Sequence, residues 1–248
     1  MSRESSEKVK EAWKDYWART MGNEVFLDEM SETIFKELLN SSGGPAGKKI
    51  LEAGCGRGII SAELAALGAD MHLLDISGEA LDIAGKYFAS KNLSASFIQG
   101  DILNLPFSES TFDIVWNGGV MEHFEEAPQA KILQGIARII KPGGLFITFN
   151  PFEGAYFYVW GKRHAERRGR WPYGPEFPVR TLRQGCRASG LNVLTEYQIC
   201  FRENLSYLSY VSRPLLSVAK RIAGLFPDRY LLDKFGGYLL VTVAAKER

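Results

Sequence analysis

The stretch Ile50-Leu51-Glu52-Ala53-Gly54-Cys55-Gly56-Arg57-Gly58 constrains this chain more than any other. A short apolar run reaches an acid, glycine then recurs at every second position, and Ile59-Ile60-Ser61-Ala62-Glu63-Leu64-Ala65-Ala66-Leu67 continues as a helix-compatible segment. The expected structure is a strand, a tight loop and a helix. Glycine lets the backbone turn sharply and approach a ligand closely, and the free N–H groups at a helix start offer donors to its polar atoms. The spacing differs from the dinucleotide loop G-x-G-x-x-G, whose helix N-terminus faces a pyrophosphate. A flat, polar ligand is expected on this loop.

The segments that follow narrow the ligand. Asp70-Met71-His72-Leu73-Leu74-Asp75-Ile76-Ser77 reads as a second strand ending in an acid. Asp75 follows Glu52 by about the 20 residues at which a second-strand acid reaches a ribose, although an acid ahead of Ser77-Gly78-Glu79 also suits a helix cap. Ala95-Ser96-Phe97-Ile98-Gln99 reads as a third strand, closed by Gly100-Asp101-Ile102, which alone is a turn aspartate and a core isoleucine. The fourth strand, Phe112 to Asn117, runs into Gly118-Gly119-Val120-Met121-Glu122-His123-Phe124, and ligands of open α/β sheets bind outside such strand ends. A helix carrying Ile132, Leu133, Ile136, Ile139 and Ile140 stops at Lys141-Pro142-Gly143-Gly144 before strand five, Leu145 to Phe149.

These segments, in this order, resemble the class I S-adenosylmethionine (SAM)-dependent methyltransferases, of the small-molecule, type 11-like kind. E-x-G-x-G-x-G is similar to their motif I, Gly-Asp-hydrophobic to their adenine-binding turn, Glu122-His123 to the Glu-His after strand four, and Lys141-Pro142-Gly143-Gly144 to their L-K-P-G-G. The resemblance implies a Rossmann-like α/β fold with a seven-stranded, mostly parallel sheet of order 3-2-1-4-5-7-6, and SAM as cofactor with S-adenosylhomocysteine (SAH) as product. It implies that Glu52, Gly54, Cys55, Gly56 and Gly58 hold SAM, with Asp75 and Ile76 at the ribose, Asp101 and Ile102 at the adenine, and Asn117 and Gly118 beside the methionine part. His123 is then the candidate general base, because its ordinary pKa suits proton removal near neutrality, and Glu122 orients the imidazole or a substrate amine. Each has a structural alternative, a loop-shaping histidine and a helix-capping acid. Related proteins can carry a metal at E-x-x-E-H; here Gly119 takes the first acidic place, and no metal is expected.

The expected organisation is one domain over residues 1–248: an N-terminal helical lid (1–45), a SAM-binding core (46–150), and substrate-side insertions at 151–180 and 202–236. Between residues 4 and 20, Val9, Ala12, Trp13, Tyr16 and Trp17 share one helical face, either packing the lid or bringing Tyr16 and its neighbours to the cofactor. The first insertion surrounds the basic run Lys162 to Arg170 with aromatics, a pattern that suits a phosphate-bearing substrate or RNA, or only a solvated helix face. The second carries exposed-looking apolar residues, with Pro214 interrupting any single helix, and suits an apolar acceptor, a dimer contact or a membrane surface. The predicted activity is methylation of a small-molecule or lipid-like O, N or C nucleophile by direct displacement. The alternatives are a nicotinamide oxidoreductase, a non-catalytic SAM-binding scaffold and an RNA methyltransferase. A formal net charge of +1 gives no general footprint for nucleic acid, and the [DNS]-P-P-[YFW] motif of nucleic-acid amino-methyltransferases is missing after strand four. Three scattered cysteines and a charged N-terminus point to a reducing, cytoplasmic setting with no transmembrane segment.

Overall fold

A computed structural model describes Trp13, Tyr16, Trp17 and residues 26–247. The three aromatics are helical; Val9, Ala12 and the rest of the expected 4–20 helix lie outside the described residues. Helix α1 (Glu29–Ser42) opens on Asp28, whose carboxylate accepts the Ser31 N–H at 2.8 Å, and ends at Gly43 in the left-handed conformation. The core then alternates β1 (Lys49–Ala53), α2 (Ile59–Ala66), β2 (Asp70–Asp75), α3 (Gly78–Ser90), β3 (Ser96–Gln99), β4 (Phe112–Gly118), α4 (Glu126–Ile139) and β5 (Ile140–Pro151). The chain continues through α5 (Tyr156–Glu166), α6 (Arg183–Ala188), β6 (Leu191–Ile199), α7 (Phe201–Ser206), α8 (Arg213–Ala223), α9 (Asp228–Phe235) and β7 (Leu239–Lys246).

The seven strands form one sheet of order β3-β2-β1-β4-β5-β7-β6. All pairs from β3 to β5 are parallel, and β7 runs antiparallel to both β5 and β6. This is the expected order. Period-two alternation sends neighbouring residues to opposite faces. Leu51 packs with Ile132, Leu133, Ile136, Leu182 and Cys186 on one side, and Ile50 packs with Ile34, Leu38, Ala62, Leu64 and Phe88 on the other. Two helical layers therefore cover the sheet, and the C-terminal ends of β1, β2 and β4 lie side by side.

The structure refines these expectations. Lys141-Pro142-Gly143-Gly144 does not stand outside strand five but bulges within it: Phe112 pairs Ile140 while Ile114 pairs Leu145, and Gly143 has φ +77°. No single helix spans the second insertion, as expected, and Pro214 sits in the first turn of α8, where its missing N–H costs nothing. Strand six ends at Ile199, because Cys200 takes φ +65° and turns the chain into α7. The basic run is split: Arg163, Arg167, Arg168 and Arg170 are exposed, whereas Lys162 is buried, paired with Glu166 and set 5.5 Å from the centre of the Trp171 ring.

The two insertions pack on each other. Phe201, Leu205, Leu208, Ala223 and Leu231 form a third, small core that also takes Phe157 from α5. A Cβ at Gly161 would come within 2.3 Å of the Tyr207 carbonyl oxygen, so only glycine permits this contact. Leu215, Val218 and Ile222 of α8 remain exposed beside the packed Leu216, Ala219 and Ala223. Among the described residues no helix is long and apolar enough to cross a membrane.

Candidate active site

The glycine loop works because no Cβ stands where one would collide, and its glycines take positive φ angles that other residues rarely adopt. Gly54 (φ +90°) would place a Cβ 2.6 Å from Val120 Cγ2, and Gly58 (φ +63°) would place one 2.6 Å from Leu73 Cδ2. The loop is held from β2: the Asp75 carboxylate accepts the Gly56 N–H at 2.8 Å and the Ser77 N–H at 2.9 Å. Burial raises the Asp75 pKa, and these two N–H donors pull it back. Glu52 is also buried, accepts the Ser61 hydroxyl, and is held well above the usual carboxylate range, mainly by burial. Asp101 accepts the Leu103 N–H at 2.9 Å, which fixes the turn that presents Ile102.

These residues border a cavity of about 720 Å³ that extends to the loop after β4 and to both insertions. At that second end stand Glu122, His123, Tyr173, Glu176, Tyr207 and Tyr238, with Trp13 and Tyr16. Proline-flanked residues 175–177 clasp the β4 loop. The Phe177 N–H donates to the Glu122 carbonyl at 2.6 Å, and His123 Nδ1 lies 3.3 Å from the Pro175 carbonyl. A carbonyl only accepts, so this contact sets the proton on Nδ1 and leaves the Nε2 lone pair free of it. Burial lowers the His123 pKa below its ordinary 6.5 and keeps the ring neutral. Nε2 is 3.9 Å from Glu122 Oε1, and the Trp13 ring meets the imidazole edge-on with centroids 5.1 Å apart.

Glu122 is 2% exposed and its Oε2 has no hydrogen-bond partner; burial and, next, the Glu176 charge raise its pKa well above the usual range. Glu176 accepts the Tyr158 hydroxyl at 2.8 Å, and burial pushes its pKa to about 7. Among the described residues no group of three or more His, Cys, Asp or Glu is arranged to hold a metal ion.

Residues 50–144 match the family described as "Methyltransferase domain". A ubiquinone biosynthesis O-methyltransferase of Nitrosococcus oceani is 29% identical over 192 residues, covering 70% of this chain and 80% of that protein. That of Photorhabdus laumondii is 31% identical over 149 residues, 59% of this chain and 61% of the relative. The structure of magnesium protoporphyrin IX methyltransferase from Synechocystis with bound SAH superposes with a TM-score of 0.65 at 14% identity, covering 96% of this chain and all (100%) of that one. These likenesses show a methyltransferase domain at residues 50–144 and SAM-dependent methylation as its activity. The oxidoreductase and non-catalytic scaffold readings are thereby set aside, and SAM is the cofactor.

The methyltransferase brings Glu52, Gly54, Cys55, Gly56, Gly58, Asp75, Ile76, Asp101, Ile102, Gly118, Glu122, His123 and Tyr16 onto one cavity. Asn117 is not among its lining residues. Its side chain points into the sheet instead: Thr148 Oγ1 donates to Asn117 Oδ1, Asn150 Nδ2 donates to Thr148 Oγ1 at 2.8 Å, and Asn150 Oδ1 accepts the Met121 N–H at 3.3 Å. Asn117 thus belongs to a buried polar chain that anchors the loop bearing Glu122 and His123. Sequence reasoning did not single out Glu176, which enters from the proline-rich loop. The available signal was its place in Pro175-Glu176-Phe177-Pro178, where two fixed φ angles hold an acid in one orientation.

Proposed function

We propose that this methyltransferase moves the SAM methyl group to a small-molecule nucleophile bound between the β4 loop and the two insertions. The observation that supports the reading is the continuity of one cavity from the glycine loop to Glu122, His123 and the tyrosines of the insertions. The residues present fit SAM. Asp75 offers carboxylate acceptors at the end of β2, Asp101 and Ile102 border a slot suited to a flat base, and the Cβ-free loop allows close approach. Gly118, Gly119 and Val120 would lie along the methionine part. SAM supplies an activated methyl on a sulfonium sulfur, so the protein's task is chiefly alignment of the acceptor.

His123 is the proposed general base. Its neutral ring, with Nδ1–H committed to Pro175, presents Nε2 to take a proton as the acceptor attacks, and Glu122 stands 3.9 Å away to stabilise the imidazolium. The aromatic side chains Trp13, Tyr16 and Trp17 act as a lid that excludes water. Trp17 already touches the loop, since a Cβ on Gly56 would fall 2.8 Å from its ring. Calorimetric titration with SAM, SAH and NADH tests the cofactor half of the proposal. Saturable binding of both sulfur ligands and none of NADH is expected, and an Asp75→Asn variant should weaken both sulfur ligands at least tenfold. Unchanged affinity in that variant refutes the assignment of Asp75.

A further inference from the structure

The cavity is far more acidic than SAM requires. Apart from Glu52, Asp75 and Asp101, its lining includes Asp28, Glu29, Glu122, Glu176 and Glu203, while Arg57 is the one arginine and no lysine lines it among the described residues. Glu122 is buried with Oε2 unpartnered, in a wall of the cavity, and it feels the charge of Glu176. Glu176 in turn faces Tyr158, Lys162 and Glu166, with Tyr173 and Tyr207 close enough to feel its charge. Lys162 is bound to Glu166 and the Trp171 ring, and its charge offsets the burial of Glu176 only in part. Buried carboxylates without a cation are costly, and electron-rich rings beside them attract positive charge.

Building on the methyl-transfer reading above, we propose that the acceptor is a protonatable amine, received as an ammonium between Glu122 and Glu176 among the rings of Tyr16, Tyr173, Tyr207 and Tyr238. A phosphate-bearing acceptor would meet the same carboxylates with like charge. The chemistry balances. The ammonium loses one proton to His123 Nε2, its freed lone pair forms the C–N bond as the C–S bond breaks, and the C–S pair leaves on sulfur as SAH. The nitrogen departs as an N-methylammonium, and His123 returns its proton to solvent.

The test is calorimetric titration of the SAH-saturated enzyme with benzylamine, benzyl alcohol and benzyl phosphate, which share a ring and differ in charge. Benzylamine should bind at least tenfold tighter than the alcohol, and the phosphate should not bind. Glu176→Gln should erase most of the amine's advantage while SAH affinity stays within twofold. Alcohol or phosphate binding as tight as the amine, no amine binding at millimolar concentration, or an equal loss for all three in Glu176→Gln would each overturn the proposal. The wild-type comparison decides the matter even if the variant does not fold. Failure of SAH itself to bind would be a failure of the methyl-transfer reading, and is scored separately by the first titration.

Discussion

Replacing Glu176 with glutamine should make the ligand-free protein more stable, and by an amount that depends on pH. A glutamate carboxyl that ordinarily titrates near 4.5 titrates here near 7, because burial penalises its charged form more than the Tyr158 hydroxyl favours it. Between those values the native state binds the proton that the unfolded chain has released. The raised pKa therefore costs no stability below about pH 4.5, and its cost grows as pH rises to 7. At about 1.36 kcal/mol per pH unit, the gap corresponds to roughly 3 kcal/mol, and solvent reaching the half-buried group reduces this to about 2 kcal/mol. Glutamine keeps an oxygen for the Tyr158 hydroxyl and never ionises. Removing the charge also relieves Glu122, whose pKa the Glu176 carboxylate raises, which acts in the same direction. Urea unfolding of both proteins at pH 5, 6, 7 and 8 reads the effect. The variant's excess stability should be about 0.5 kcal/mol at pH 5 and about 2 kcal/mol at pH 8. An excess that stays constant across this range would refute the account of Glu176 as a buried acid.

Three further outcomes follow from the same geometry. Gly58→Ala should cost about 2–4 kcal/mol in urea unfolding, combining a left-handed alanine with a Cβ 2.6 Å from Leu73 Cδ2. Thr148→Val should cost about 2–4 kcal/mol by stranding Asn117 Oδ1 and Asn150 Nδ2 in the sheet, and should also slow turnover, since Asn150 anchors the Met121 N–H ahead of Glu122. Asp75→Asn should lose about 1–3 kcal/mol of stability together with its loss of SAH affinity, because the side chain fixes Gly56 and Ser77 besides facing the ligand; a stability equal to wild type would show those bonds to be dispensable.

Asp75 shows how sequence and structure divide the information. Its place at the end of an apolar run, a set distance after a glycine loop, was legible because strand ends and helix starts are encoded locally. The places of the first five strands were legible in the same way, since each apolar run meets its turn residues within a few positions, whereas the order of the seven in the sheet was implied only by the family resemblance. The direction of the Asn117 side chain was not legible: strand periodicity alternates faces, and the face it takes depends on Thr148 and Asn150, about 30 residues away in sequence. Glu176 was illegible for a stronger reason. An exposed-looking acid in a proline-rich loop becomes a half-buried one lining the cavity only because Phe177 and Pro175 bond the Glu122 backbone and the His123 side chain. Local pattern carries no trace of that clasp. Lys162 is the converse case, since its basic run read as one face although the helix turns this single lysine inward.

The acidic chamber also imposes an order on the chemistry. An ammonium placed to attack would stand near a positively charged sulfonium, and two like charges 4 Å apart cost about 4 kcal/mol at an effective dielectric of 20. Glu122 and Glu176 can gather the cation, but it becomes a nucleophile only once a base takes its proton. In the proposed mechanism that base is His123, whose pKa burial lowers. The expected consequence is a kcat that rises with pH as His123 sheds its proton, along a limb below its ordinary 6.5. His123→Gln should lose this limb and about 100-fold in kcat, within the usual range for a general base, while SAH affinity holds. If the limb survives in the variant with its position unchanged, the proton leaves by another route and His123 only shapes the loop.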